Sequence, residues 1–188
     1  MNAVLHEQAQ VHCATSGGGE DQELTTSFVK AFGKHPGGVA LVTADAGKGP
    51  VAMTVTSLTS VSASPPVFLF SAAARSSSSP TLREAETVVA HFLSPEDINL
   101  ARLGATSGID RFEDDEMWER LPTGEPLFHT HGPWLRAGII MTIDVNGSTV
   151  VLAEVYEASD RTTVGDQHKP GLTYVDRTWR QVDTVPTL

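Results

Sequence analysis

Residues Met53 to Phe70 read MTVTSLTSVSASPPVFLF. Met53 through Val61 has the composition of a strand, yet seven of the fourteen residues before Val67 are serine or threonine. Pro65 and Pro66 break the run, and Val67–Phe70 opens an apolar strand that needs a buried environment. Thr54, Thr56 and Ser57 cannot all point to one face of a regular strand, because side chains alternate. A bend near Ser57 would gather hydroxyls and backbone N–H groups on one surface.

On the N-terminal side, TTSFVKAFGKH (25–35) places Phe28, Ala31 and Phe32 on one helical face, with Thr25 or Ser27 as cap and Pro36-Gly37-Gly38 as stop. GVALVTA (38–44) reads as a short strand, and DAGKGP (45–50) as a turn before VAMTVTSLTSV (51–61). Residues 1–22 read as a disordered tail, small and polar around Gly17-Gly18-Gly19, and 23–188 as one folded domain. His6, His12 and Cys13 fall in that tail, which favours a solvated end over a metal site.

On the C-terminal side, Ser79 as N-cap with Pro80 at the first position starts a short helix, and Thr81 with Glu84 offers a competing capping box. A strand through Val88 and Val89 follows. Ser94-Pro95 with Glu96 and Asp97 opens a second helix. The acidic stretch 110–126 reads as a solvated loop, with Glu113–Glu116 as a weaker cation candidate. Ile139, Met141, Ile143 and Val145 alternate with smaller or polar residues, Asn146-Gly147 supplies a two-residue turn, and Val150, Leu152 and Val155 return. GLTYVDRTWRQV (171–182) reads as the last strand. Many strands, few helices and no βαβ rhythm indicate a mostly β chain, an antiparallel barrel or sandwich.

The chain has 188 residues and a net charge of -10. That balance disfavours a general nucleic-acid binder and an anionic membrane surface. Any bound phosphate requires a local site. A single cysteine excludes an internal disulfide and fits a reducing compartment. The start, MNAVLHEQAQ, lacks the apolar core of a signal peptide, and no run is long enough to cross a bilayer; the chain reads as cytoplasmic. The phosphate candidate is Arg75–Ser79, RSSSS, directly before a helix start, where N–H groups, hydroxyls and a guanidinium can wrap an anion. A flexible, capped loop is the competing reading. His129 and His131 are two residues apart, as two metal ligands on a strand are, without an evident third. Trp118, Trp134 and Trp179 read as core or interface residues.

The order of these segments resembles the flavin reductase-like, FMN-binding split-barrel family, over about residues 25–182. MTVTSLTSVSASPP (53–66) is the most specific block, supported by RSSSSPTL, VVAHFLSPEDINLARLGA, DRF, GEPLF and VVLAEVYEA. The resemblance implies an antiparallel split β-barrel of Greek-key type with a few short flanking helices. It implies FMN as cofactor, with FAD as the alternative, and NAD(P)H as co-substrate. Met53, Thr54, Val55, Thr56 and Ser57 then fall at the flavin ring and ribityl chain, and Arg75, Ser76 and Ser78 at the phosphate. His91 falls where the family has an asparagine, with a buried strand residue as the equal alternative. Counting back from Glu154 places Ser148 at a family histidine beside the nicotinamide; His168 in GDQHKP lies too late to replace it. The implied function is an NAD(P)H-dependent flavin reductase, acting as a homodimer and supplying reduced flavin to a partner monooxygenase. The alternative is a flavin-binding protein of the same fold that does not use NAD(P)H directly.

Overall fold

The computed structural model of the chain describes residues 8–10, 20–73, 75–159 and 170–182. Its strands are β1 (Gln8–Gln10), β2 (Gly37–Gly38), β3 (Ala40–Asp45), β4 (Pro50–Val55), β5 (Thr59–Ala63), β6 (Pro66–Ala73), β7 (Thr87–Phe92), β8 (Trp118–Arg120), β9 (Pro126–Phe128), β10 (Trp134–Val145), β11 (Ser148–Ala158), β12 (Leu172–Val175) and β13 (Thr178–Gln181). Its α-helices are α1 (Glu20–Gly33), α2 (Ser79–Glu84) and α3 (Ile98–Ala105).

The main sheet runs β4-β3-β7-β10-β11-β6-β5, with β1 added in parallel to β10. Every other pairing in it is antiparallel. β2, β12 and β13 form a second sheet, and β8 and β9 a third. The mostly β, antiparallel expectation therefore holds. Barrel closure does not, because among the described residues no ladder joins the two ends of the main sheet.

Serine side chains instead link the chain around β4 with the chain around β6. The chain leaves β4 after Val55 and bends at Thr56, beside the expected position, Ser57. The Ser57 hydroxyl accepts from the Ser71 N–H at 2.9 Å and reaches the Ser71 carbonyl at 3.3 Å. Ser78 Oγ donates to Ala52 O on β4 at 2.9 Å, and Ser79 Oγ to Ala73 O on β6 at 2.6 Å. Each bond contributes on the order of 1 kcal/mol and satisfies backbone groups that a ladder would otherwise pair. Hence part of the hydroxyl content of 53–79 is structural. Beneath it, Met53, Val55, Phe68, Phe70, Ala72, Val88, Ala90, Ile139 and Val151 form the main core cluster. A second cluster, including Leu41, Ala52, Leu100, Ala101, Phe112 and Phe128, lies where α3 covers β3 and β4.

Local signals place most elements. Asn146 and Gly147 take positive φ, 45° and 82°, in the β10–β11 turn. Register shifts near Arg136 and Ile139 interrupt β10, so the alternation read through Ile139 and Met141 is not carried to one buried face. The Ser94 N–H and hydroxyl both bond the Asp97 carboxylate at 2.9 Å, which fixes the entry to α3. Four expectations shift. The stretch 171–182, read as one last strand, is the hairpin of β12 and β13. The first helix begins at Glu20, and strand β1 lies inside the stretch read as tail. The cap of α2 is Ser78, one residue earlier than expected. The acidic loop contains β8, which pairs Trp118 with Phe128.

Candidate functional site

A cleft of about 700 Å³ opens where β4 ends. Thr56, Ser57, Leu58 and Thr59 line one side, with Ser71 of β6 beside them. Phe32, His35, Gly37 and Gly38 line the opposite side, together with Tyr174 and Arg177 from the β12–β13 hairpin. The volume lies within the roughly 300–1,000 Å³ typical of small-molecule sites. Gly37 permits the close approach of the two walls: a Cβ there would meet Thr56 O at 2.8 Å and Thr56 Cβ at 2.9 Å. Among the described lining residues there is no carboxylate, although the chain carries 23. The wall presents hydroxyls, an imidazole, a guanidinium and two aromatic rings. That donor set suits a polar, anionic aromatic ligand. A second hollow of about 480 Å³, lined by Asp110, Glu113, Asp114, Asp115 and Glu116 together with Arg111, repels the same ligand.

The serine loop lies toward the other end of β4. Arg75 and Ser77 are exposed there. Ser76 Oγ accepts from the Ser78 N–H at 3.3 Å, and Ser78 itself is fully buried on Ala52. Arg111, which the sequence reading left without a role, reaches this loop from the end of α3. Its guanidinium donates to Leu103 O at 3.3 Å and to Thr106 O at 2.5 Å, and stands 3.5 Å from Ser77 Oγ. No local sequence signal marks it; its position follows from where α3 stops. Thr54 lies between the two ends. Its hydroxyl donates to Ala101 O at 2.7 Å, and it seats α3 rather than lining the cleft.

The site residues named from the sequence thus divide. Thr56 and Ser57 share the cleft. Arg75 and Ser76 lie in the serine loop. Met53 and Val55 point into the main core, and Ser78 is a staple. His91 is fully buried on β7. The Phe128 N–H donates to Nε2 at 3.1 Å, so Nδ1 carries the proton and donates to Leu41 O at 3.1 Å. Both ring nitrogens are occupied, which corrects the expectation that His91 contacts a cofactor. Burial lowers its pKa to about 4. The unfolded chain therefore takes up this proton near pH 6.5 and the native one only near 4. The neutral-His91 contribution is complete above pH 6.5 and is lost as pH falls toward 4, at about 1 kcal/mol per pH unit. Denaturant midpoints measured from pH 7 to pH 4 should fall through this window, and a His91→Gln variant should show a shallower fall.

The remaining candidates have other roles. His131 Nδ1 bonds Asp97 Oδ1 at 2.8 Å. Burial would raise the Asp97 carboxyl, but bonds from His131 and Ser94 outweigh it and hold it below the ordinary carboxylate range. Among the described residues no group of three side chains could hold a metal ion. Trp118 and Trp179 pack on the second core cluster, and Trp134 opens β10. Ser148 pairs with Ala73 across β11–β6, at the serine-loop end. His6, His12, Cys13 and His168 lie outside the described residues. No described helix is long and apolar enough to cross a membrane.

Known proteins share this fold. A flavin reductase domain protein from Arthrobacter sp. FB24 superposes with a TM-score of 0.79 at 31% identity, over 87% of this chain and 98% of its own. An NADH:FAD oxidoreductase from Streptomyces globisporus, solved with NAD and FAD fragments, gives 0.73 at 26% identity, over 88% and 96%. An NADH:FMN oxidoreductase of Rhodococcus qingshengii is 42% identical over 125 residues, 66% of this chain and 65% of the relative, so the match spans just under two thirds of that protein. Residues 32–183 match the flavin reductase-like domain, and the chain belongs to that family.

Proposed function

We propose that the protein reduces FMN with NADH. A cleft with no carboxylate among its described lining residues, in an acidic chain, is the observation that carries this reading. Thr56, Ser57 and Thr59 supply donors for the polar edge of a flavin, and Phe32 and Tyr174 supply apolar walls. From Thr56 back to Ala52, where Ser78 is bonded, is about 13 Å of strand, a span suited to the ribityl phosphate. Arg75, Ser76, Ser77 and Arg111 then hold the phosphate, with two guanidiniums in reach of one dianion. When bound, the flavin supplies the two-electron acceptor chemistry, with a nicotinamide as donor. The chain's own residues hold the rings in register and limit water; none need exchange a proton.

Ser148 in place of the family histidine favours the second reading, a flavin-binding protein that does not take NAD(P)H directly. The test is anaerobic bleaching of FMN at its visible band on adding NADH. Turnover supports reductase activity, and tight FMN binding without turnover supports the second reading. The same proposal includes a cytoplasmic homodimer that hands reduced flavin to a monooxygenase. Leu24, Phe28, Val29 and Phe32 on α1 are exposed, as are Val61, Phe92 and Tyr156, and a second copy would cover such apolar surface.

A further inference from the structure

We infer that Arg177 is the anchor for the diphosphate of the dinucleotide donor; this rests on the reductase reading above. Asp176 and Arg177 form the two-residue turn between β12 and β13, with φ of 51° and 58°. Both are in the left-handed region, which favours glycine or asparagine. The β10–β11 turn of the same chain solves the same geometry with Asn146-Gly147, at 45° and 82°. The second turn instead holds an arginine in a conformation that glycine would adopt without cost. Strained backbone of this kind persists where the surroundings enforce it, and it marks sites of function. Here the enforcement is visible. The Asp176 N–H donates to Gly33 O at 2.6 Å, tying the turn to the end of α1, and the register of β12 with β2 fixes it to Gly37 and Gly38.

The turn places Arg177 in the lining of the cleft, together with Thr56, Ser57 and His35. Among the described residues none of the ion pairs involves Arg177. The flavin carries one phosphate, and Arg75 with Arg111 meets it at the other end of β4. A second guanidinium at the opposite end, without an ion pair among the described residues, is therefore left for the anionic part of the other substrate. A nicotinamide lying on a flavin ring near Thr56 would bring its diphosphate into the cleft that Arg177 and His35 also line.

The test uses the whole chain and saturating FMN. Arg177→Gly removes the cation and relaxes the turn, so its thermal midpoint should equal or exceed that of the unaltered protein. Its KM for NADH should rise about tenfold, the effect of one charge-assisted bond, and by clearly more than any change in kcat or FMN affinity. Arg177→Lys should recover part of the loss. With 1-benzyl-1,4-dihydronicotinamide, a donor without phosphate, the unaltered protein and Arg177→Gly should differ far less than they do with NADH. An unchanged KM for NADH, or an equal loss with the phosphate-free donor, overturns the assignment. If the unaltered protein reduces FMN with neither donor, the reductase reading fails and this one with it; if it reduces FMN normally, a null effect of Arg177→Gly counts against Arg177 alone.

Discussion

Gly104→Val should unfold at a midpoint roughly 10 °C lower and lose FMN affinity at least about tenfold. A Cβ at this position of α3 would lie 2.4 Å from Leu41 Cδ1, 2.4 Å from Thr54 Oγ1 and 3.0 Å from the Thr54 amide nitrogen. Leu41 is fully buried, so its methyl has nowhere to move. Overpacking of this kind costs about 3 kcal/mol, which for a chain of this size is a shift on the order of 10 °C. Helix propensity recovers about 1 kcal/mol for alanine, so Gly104→Ala should be milder. The binding loss follows from the same contact. α3 is seated through the Thr54–Ala101 bond, and its last carbonyls hold Arg111 beside Ser77. A helix pushed off β4 carries that guanidinium away from the serine loop. Thermal melts read the first effect, and FMN titration followed by flavin fluorescence reads the second.

The second large effect is a loss of discrimination. Arg75→Ala with Arg111→Ala should weaken FMN binding about a hundredfold, the cost of losing charge-assisted bonds to a phosphate. Riboflavin, which has the same ring and no phosphate, should change less than about threefold. The unaltered protein should therefore prefer FMN strongly, and the double variant should bind both about equally. Isothermal titration of the two ligands against the two proteins closes this comparison. Equal loss for both ligands would place the arginines at the ring or in the fold.

Much of this arrangement was legible in local chemistry. Asn146-Gly147 specified its turn, Ser94-Pro95 with Asp97 specified the entry to α3, and the proline pair separated β5 from β6. The crowding of hydroxyls between Met53 and Phe70 correctly announced a bend near Ser57. What it could not announce was the division of labour among them. Ser57 and Ser78 link the chain around β4 with the chain around β6, a role set by the distance between two strands that only the fold brings together. His91 was ambiguous for the same reason. An imidazole between two strands reads like a ligand contact until the carbonyl of Leu41 and the amide of Phe128, 50 and 37 residues away in sequence, are placed on its two nitrogens. Arg111 and Arg177 gave no local signal. One depends on where α3 ends, and the other on a turn that a residue-by-residue reading would assign to glycine.

Amide hydrogen–deuterium exchange with and without FMN tests most directly whether the flavin lies along the end of β4. Binding should slow exchange in two separated segments at once, Thr56–Thr59 and Arg75–Ser79, with little change in the acidic run from Glu113 to Glu116. Protection confined to that run, or in neither of the two segments while FMN is demonstrably bound, would show that the flavin sits elsewhere.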